Sequence, residues 1–424
     1  MRKILWMAGL LLVAASGGGH TVPSEQRPDA TRLFQQGTGT AVWSGTPQAV
    51  SNARLARMVL AKAADEGLDP ERYQIRDLME EGALSRALLS YMSDLAVGRA
   101  DLRALDADMG LSARTFDAAT VLADALRENR LAETLASLAP RHPAYIELRH
   151  ALAQTSDLQR KEQITANMER WRWLPPVLEA DRIVVNAAAA ELELWLDGQR
   201  VLSSRVVVGE PKTPTPILRA ESAALTINPP WTVPHSIAVK EILPKLKRNS
   251  QYLRQQNMVL LDGPAGDPHG LAIDWRAIPA GRFPYQIQQQ PGPRNALGRI
   301  KLELPNRFDV YLHDTPAKSA FAAKNRALSH GCVRVEQIMP LATYALAQPQ
   351  AAARIEALLR TTQTQRLSLR RTLPVYFLYW TASVDAEGGL KFTPDIYGRD
   401  SRLIAAMKQA PLRVAANIAA CARG

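Results

Sequence analysis

The sequence is poor in cysteine and has no apolar run long enough to cross a bilayer. Only two of its 424 residues are cysteine, Cys332 and Cys421, which excludes a disulfide framework and a four-thiolate zinc or iron–sulfur site. The apolar stretch at residues 4–15 is shorter than the about 20 residues that a spanning helix needs. A polytopic membrane protein is therefore excluded, and 46% hydrophobic with 22% charged residues is ordinary for a folded chain of about three domains.

Acidic residues are scarce relative to basic ones in the last two thirds of the chain. The net charge is −1 over residues 1–160, +6 over residues 161–340 and +6 over residues 341–424. A partner or substrate that meets the second and third of these parts is therefore expected to be anionic.

The first twenty residues have the pattern of a secretory signal. Arg2 and Lys3 precede the apolar stretch, and small residues follow it at positions 16–19. No cysteine follows the stretch, so a lipid-modified N-terminus is not expected. The alternative is an uncleaved membrane anchor, and with either one the body of the protein is expected outside the cytoplasm, in the periplasm or cell envelope.

The rest of the chain divides into a helical first part and a β-rich second part. Apolar residues at helical spacing predict helices between residues 55 and 95. Asp197-Gly198 predicts a tight hairpin, because both central positions of such a turn favour positive φ. Proline and glycine crowd residues 263–298, which predicts an inserted flap rather than regular structure. Strands are expected at residues 183–186, 191–196, 201–208, 300–304, 308–312 and 373–382, and helices at residues 336–346 and over the last twenty residues.

Two segments carry chemistry: Tyr-Leu-His-Asp-Thr-Pro at 311–316 and Ser-His-Gly-Cys-Val-Arg at 329–334. An imidazole beside Cys332 can take the thiol proton and leave the reactive thiolate in an ion pair. Gly331 has no side chain, so a substrate carbonyl can approach and accept a hydrogen bond from the Cys332 N–H. Arg334 adds positive charge that favours thiolate or grips a carboxylate.

The residue types alone leave alternatives open at this site. His313 lies at the end of a predicted strand, a rigid position for a base, but spacing does not decide whether it or His330 takes the proton. These two histidines with Asp314 and Cys332 are ligand types that zinc accepts, although their spacing matches no common zinc motif. Cys332 is alternatively a small buried apolar residue. Cys421 is interpreted as incidental, and a disulfide between it and Cys332 would silence the site.

Both segments resemble those of the L,D-transpeptidase family, whose catalytic domain is of the YkuD type. Further matches to the large branch of that family lie at residues 167–175, 228–237, 291–298 and 395–400. Leu-Ala-Pro-Arg-His-Pro-Ala-Tyr at 138–145 resembles the scaffold domain of the same branch. The resemblance covers about residues 30–405.

The resemblance implies an α+β fold, with a helical scaffold domain at residues 30–160 and an antiparallel β-rich catalytic domain at residues 165–350. A capping flap is expected at residues 235–295, and strands and a helix at residues 360–424 should pack with these parts. Larger members carry a helical peptidoglycan-binding module between scaffold and catalytic domains, but here only a dozen residues separate His150 from Gln163. We therefore expect this chain to find the cell wall without that module, through its positive charge.

The resemblance also implies roles for individual residues. Cys332 would be the nucleophile and His313 the general base, with the backbone carbonyl of Asp314 orienting the imidazole. The Cys332 N–H and the Tyr311 hydroxyl would form the oxyanion hole. Ser329, His330 and Gly331 are expected to shape the loop that carries the nucleophile. Trp231 and Arg334 are expected to contact the peptide.

The implied reaction joins the stem peptides of peptidoglycan. The thiolate attacks the carbonyl between a diamino acid and a terminal D-alanine, D-alanine leaves, and an amine of a second stem takes the acyl group. No cofactor, metal or nucleic acid is implied, and a carbapenem adduct on Cys332 is expected. Alternatives are a hydrolase or a lipoprotein-attaching or lipoprotein-releasing enzyme of the same fold, a non-catalytic wall-binding scaffold protein, and a papain-like protease. In papain-like proteases the cysteine precedes the histidine, which is the reverse of the order here.

Overall fold

A computed structural model of the chain describes residues 42–75, 81–105, 109–385 and 388–410, and the structural statements below concern those residues. The expected signal segment, Cys421 and most of the expected C-terminal helix lie outside the described residues. No helix in the described ranges combines the length and the apolar character needed to cross a membrane.

The first part of the described chain is helical, as predicted. Its helices are Pro47–Ala61, Glu81–Val97, Leu102–Leu105, Ala118–Arg127, Leu131–Ser137, Pro143–Gln154 and Leu158–Arg172. Polar N-caps begin the first and the last of them, because a side-chain oxygen can accept from a backbone N–H that has no partner within the helix. The Thr46 hydroxyl accepts from Ala49 N at 3.1 Å, and the Asp157 carboxylate accepts from Gln159 N at 2.9 Å.

These helices contribute to two separate apolar cores. Residues of the earlier helices, among them Leu60, Leu88 and Leu122, form one core. Residues of the last two helices, such as Leu148 and Ile164, join the large core of the β-rich part instead. Shared apolar burial therefore attaches the end of the helical part to the sheet, and such burial is the main favourable contribution to folding.

The second part is built from strands, numbered here in chain order. Helices Ile338–Leu346 and Ala351–Leu359 lie between β12 and β13 in the chain, and the helix Arg399–Gln409 follows β15. The predicted α+β class is confirmed. The strands are β1 Met109–Gly110, β2 Arg182–Asn186, β3 Glu191–Leu196, β4 Gln199–Gly209, β5 Ile217–Ile227, β6 Trp231–Thr232, β7 Met258–Leu260, β8 Ile287–Gln289, β9 Ile300–Glu303, β10 Leu312–His313, β11 Ala327–Ser329, β12 Val333–Val335, β13 Gln365–Leu378, β14 Ala382–Val384 and β15 Leu390–Phe392.

The central sheet closes on itself. Its strand order is β5-β13-β2-β3-β4-β12-β10-β9, and β9 pairs with β5 to complete the ring. Within the ring the pairs β13–β2 and β10–β12 are parallel, and the others are antiparallel as predicted. The parallel pair β10–β12 brings the two chemical segments together.

The β3–β4 hairpin forms at Asp197-Gly198, as predicted. Both residues have positive φ, +49° and +76°. A two-residue turn of this kind matches the right-handed twist of the strands that it joins. The hairpin therefore sets the register of β3 against β4.

The strand predicted at residues 308–312 is wrong except for its last residue. The Asn306 side chain accepts from Phe308 N at 3.0 Å and from Val310 N at 3.3 Å. Asp309 has a φ of +52°, a left-handed conformation. The chain therefore turns until β10 begins at Leu312, since these local hydrogen bonds compete with strand pairing.

An inserted flap leaves and re-enters the sheet at one point. Ile227 at the end of β5 pairs with Ile300 at the start of β9, so residues 228–299 form an excursion between two neighbouring strands. The flap has an apolar core of its own and a small sheet in the order β6-β8-β7. The expectation that residues 263–298 lack regular structure is wrong at β8, which is the middle strand of that sheet.

Candidate active site

The two chemical segments of the sequence become neighbouring strands. β10 lies between β9 and β12, with His313 opposite Lys301 on one side and opposite Arg334 on the other. Paired residues point to the same face of a sheet and alternate residues share that face, so Tyr311 and Cys332 continue the same row. This row of reactive and charged side chains is called the polar row below.

The opposite face of these strands is apolar core. Leu302, Leu312 and Val333 are fully buried, and they pair with one another in the register of the sheet. Tight packing of such side chains fixes the backbone of the three strands. The polar row is therefore displayed from a rigid surface.

His313 is a buried imidazole whose surroundings favour the neutral form. It is only 4% exposed, and its Nδ1 atom makes no hydrogen bond with any described residue. The pKa of its imidazole is lowered to about 4, mainly by burial and to a smaller extent by the positive charge of Arg334. Interactions with main-chain groups of Asp314 and Leu297 raise this pKa, but by less. The ring is therefore unprotonated near pH 7 and can accept a proton. A main-chain interaction between Asp314 and the ring is present, and the orienting role expected of the Asp314 carbonyl stays a prediction.

Cys332 is held as a thiol in the unliganded site. Burial raises the pKa of the Cys332 thiol, whereas main-chain and hydroxyl interactions with Tyr311 and the charge of Lys301 lower it by smaller amounts. Its Sγ atom lies 3.5 Å from the Asp309 carbonyl oxygen. Burial thus disfavours both charges of the thiolate–imidazolium ion pair expected from the sequence, and that pair stays a prediction.

Hydrogen bonds within the loop fix the backbone around Cys332. The Ser329 hydroxyl donates to the Cys332 carbonyl oxygen at 2.5 Å and accepts from Gly331 N at 3.2 Å. Gly331 has a φ of +111°, which side chains rarely tolerate. Glycine at this position therefore lets the chain turn sharply before Cys332 and leaves room for a substrate carbonyl.

Thr215 ties this loop to the core of the sheet. Its side chain is fully buried, and its hydroxyl donates to the Gly331 carbonyl oxygen at 2.9 Å and accepts from Gly209 N at 2.9 Å. The Arg399 guanidinium donates to the Thr215 carbonyl oxygen at 3.0 Å. Since the Gly331 carbonyl and the Cys332 N–H belong to one planar peptide unit, this hydrogen bond also fixes the direction of that N–H.

Tyr311 keeps its proton and lies beside the thiol. Burial raises the pKa of its hydroxyl well above the usual range, and interactions with Cys332 raise it further. The Trp231 indole of the flap also interacts with this hydroxyl. A protonated phenol beside Sγ can donate a hydrogen bond to an oxygen that becomes negative there.

Asp314 and His330 have partners away from the thiol. The Asp314 carboxylate accepts from Arg299 N at 2.8 Å and forms an ion pair with Lys318. His330 Nε2 lies 2.6 Å from a carboxylate oxygen of Glu241, which belongs to the flap. The four residues considered for zinc therefore do not converge, and within the described ranges no group of three or more histidine, cysteine, aspartate or glutamate side chains is arranged to hold a metal ion.

Three residues of this site escape sequence reasoning. Lys301 comes from β9, Thr215 from the segment after β4, and Glu241 from a short helix of the flap, Ala238–Ile242. The alternation of Ile300, Lys301, Leu302 and Glu303 predicts that Lys301 faces away from the core, but it does not reveal which strand lies beside it. Only pairings between distant segments bring these side chains to Cys332.

Comparisons with protein-family models identify two regions of the chain. Residues 180–357 match a model described as an L,D-transpeptidase catalytic domain, and residues 28–152 match one described as a scaffold domain. These regions include most of the helical part and the whole polar row.

Individual relatives match part of the chain. A Haemophilus influenzae protein named "Putative L,D-transpeptidase" is 33% identical over 284 residues, which are 66% of this chain and 57% of that protein. The chain thus spans less than two thirds of the length of this curated relative. Among solved structures, an L,D-transpeptidase from Mycobacterium smegmatis is 13% identical, with a TM-score of 0.21 over 47% of this chain and 58% of that one. L,D-transpeptidase 3 from Mycobacterium tuberculosis is 12% identical, with a TM-score of 0.22, and the match covers 47% of this chain and 60% of that one.

Proposed function

We propose that this chain is an L,D-transpeptidase that transfers peptide acyl groups between peptidoglycan stem peptides through a thioester on Cys332, since residues 180–357 match the model of the L,D-transpeptidase catalytic domain. The observation that supports this proposal is the parallel register of β10 and β12, with His313 opposite Arg334. By the alternation of side chains, Tyr311 and Cys332 then lie on the same face as His313. The donor is a stem in which a diamino acid precedes a terminal D-alanine, and the acceptor is an amine of a second stem. One peptide bond breaks and another forms, so the reaction needs no cofactor and no nucleotide.

The first half-reaction acylates the enzyme. Sγ of Cys332 attacks the carbonyl carbon between the diamino acid and D-alanine, and the thiol proton passes to neutral His313 as the bond forms. The carbon–nitrogen bond of the tetrahedral intermediate then breaks. The D-alanine amine leaves with the proton from His313, and a thioester remains.

The second half-reaction transfers the acyl group. The acceptor amine attacks the thioester carbon and gives its proton to His313, and Cys332 leaves as the thiol after it takes that proton back. In both halves the carbonyl oxygen becomes negative. The Cys332 N–H and the Tyr311 hydroxyl are the proposed donors to that oxygen, because preorganised donors act most strongly where charge develops.

The flap is proposed to decide between transfer and hydrolysis. Trp231 of the flap interacts with Tyr311, and Glu241 of the flap pairs with His330 next to the nucleophile. A flap in this position shields the thioester from water while an amine enters. Loss of this shielding would turn the same chemistry into a hydrolase.

Incubation with defined tetrapeptide muropeptides tests the proposed function. We expect crosslinked dimers that have lost one D-alanine per crosslink, measured by mass spectrometry of the products. Tripeptides without dimers would show a hydrolase, and unchanged tetrapeptides would show a non-catalytic binder.

We also propose that the protein acts outside the cytoplasm and binds the wall through its positive charge. Cell fractionation would test the location, and sedimentation with cell wall at increasing salt would test the charge dependence of binding.

Thr215→Val is expected to slow acylation by about tenfold to a hundredfold, somewhat less than the 10²–10³-fold loss typical when an oxyanion donor is removed outright. Valine keeps the shape of the side chain but cannot donate to the Gly331 carbonyl, so the Cys332 N–H loses its fixed direction. The measurement compares acylation by a carbapenem with alkylation of Cys332 by iodoacetamide, since alkylation creates no oxyanion.

Thr215→Ser is the matched control, because it retains the hydroxyl. We expect its acylation rate to stay near that of the wild type. Equal slowing of acylation and alkylation in Thr215→Val would show a general disturbance of the loop instead of a role in the oxyanion hole.

A further inference from the structure

Two cations of the polar row have no carboxylate in direct contact within the described residues, although the charges of Glu303 and Asp309 act electrostatically on Lys301. Lys301 on β9 and Arg334 on β12 flank His313 on β10, and both are half-buried. Among the described residues neither one forms an ion pair or donates a hydrogen bond. By contrast Arg299, a half-buried arginine next to β9, donates to the Asn228 side-chain oxygen at 2.7 Å.

The surroundings of both cations are unfavourable for an isolated charge. Burial lowers the pKa of Lys301 and of Arg334. The ammonium of Lys301 lies over the Tyr311 ring, 3.9 Å from its centre, and this is the aromatic contact that holds it in place. Burial of a charge without a partner costs free energy, so these side chains have the character of a binding site for an anion from outside the chain.

Both cations act on the nucleophile. Lys301 and Arg334 each interact electrostatically with Cys332. Any anion held between them therefore lies close to Sγ. In the proposed reaction Sγ must contact the scissile carbonyl carbon, so the anion belongs to the part of the donor next to that carbon.

We propose that Lys301 and Arg334 bind the terminal carboxylate of the donor peptide, the carboxylate of the residue that leaves. The inference rests on the proposed function and names the group that the site recognises. This carboxylate is separated from the scissile carbonyl carbon by only three covalent bonds, whereas other carboxylates of a stem peptide are more distant along the chain. Lys301 and Arg334 thus select donors that end one residue after the scissile bond.

Binding of that carboxylate also changes the base. In the unliganded site the positive charge of Arg334 opposes protonation of His313. A carboxylate bound to Arg334 offsets this charge, so His313 accepts the thiol proton more readily when a correct donor is present. Donors extended by one residue, or donors whose terminus is an amide, place no negative charge there.

The test compares two donors, a tetrapeptide with a free terminal carboxylate and the same peptide as its terminal amide. The wild type should prefer the free acid by about tenfold or more in kcat/KM, given the usual strength of charge-assisted hydrogen bonds. Lys301→Met should lose most of that preference, because kcat/KM should fall for the free-acid donor and stay unchanged for the amide donor. Lys301→Arg should keep it, and the control Lys324→Met, which removes an exposed lysine of the same domain, should leave it unchanged.

A binding measurement separates this inference from the proposed function. Both donors are titrated into Cys332→Ala and into Cys332→Ala with Lys301→Met, where no turnover is needed. The same preference for the acid in both proteins would overturn the inference even if the enzyme is an active transpeptidase. A preference that disappears with Lys301 would support it even if the enzyme proves to be a hydrolase. If Lys301→Met slows both donors equally and shifts the pH profile of Cys332 alkylation, Lys301 acts on the thiol instead, and the inference is wrong.

Discussion

Cys332→Ala is expected to abolish transfer, with a fall in kcat of at least about 10⁴-fold, because the covalent route disappears with its nucleophile. Cys332→Ser should fall nearly as far. A serine hydroxyl is a weaker nucleophile than a thiol, and its much higher pKa makes removal of its proton by neutral His313 harder. Release of D-alanine from a tetrapeptide donor over time measures both variants.

Cys421→Ser is the matched control for the nucleophile, since it removes the other cysteine of the sequence. We expect its rate to equal that of the wild type. Thermal unfolding of Cys332→Ala should stay close to the wild-type transition, because the Cys332 side chain is only half-buried and its contact with the Asp309 carbonyl oxygen is long, 3.5 Å. Turnover by Cys332→Ser within tenfold of the wild type would contradict the proposed nucleophile.

His313→Gln is expected to lower the acylation rate by about 10²–10⁴-fold, the range typical for loss of a general base. Glutamine retains polarity at this buried position but cannot accept and return a proton. The pKa of His313 is lowered to about 4. Wild-type acylation should therefore fall as the pH falls through about 4, where the imidazole becomes protonated, and this acid limb should be missing in the variant.

Two further histidine variants decide which ring is the base. His330→Gln removes the partner of Glu241 at the flap, and we expect it to retain acylation within about tenfold of the wild type. His150→Gln alters an exposed histidine of the helical part and should have no effect. Acylation lost in His330→Gln and retained in His313→Gln would reverse the assignment.

The neutral forms of Cys332 and His313 have a consequence for the reactivity of the thiol. A preformed thiolate would react with any electrophile, whereas a half-buried thiol on the same face as a buried imidazole becomes strongly nucleophilic only as its proton is removed. Lys301 and Arg334 connect this step to the substrate, because a bound carboxylate offsets the charge that opposes protonation of His313. The site is thereby expected to react slowly with small alkylating agents and faster with the proper donor.

Local sequence patterns predict the parts of this fold that depend on neighbours in the chain. The turn at Asp197-Gly198 requires positive φ at both residues, and the structure has it. The segments around His313 and Cys332 are short and contain unusual combinations of residue types, so the candidate site is visible in the sequence. The turn before β10 was missed because one side chain, Asn306, accepts from two backbone N–H groups that a strand would have used.

Other parts of the site depend on pairings between distant segments. β9 pairs with both β5 and β10, and this pairing alone brings Lys301 to His313. Thr215 reaches Gly331 because β4 and β12 are neighbours in the sheet. Residue type gives no sign of either role, since lysine on a strand and threonine after a strand are common on any protein.

The most direct test is the intact mass of the protein during turnover. The wild type is mixed with tetrapeptide donor without an acceptor, quenched in acid and analysed whole and after digestion. The account predicts a mass increase equal to the donor minus D-alanine, located on Cys332 and absent from Cys332→Ala. Release of D-alanine with no adduct on Cys332, or an adduct located at another residue, would contradict it.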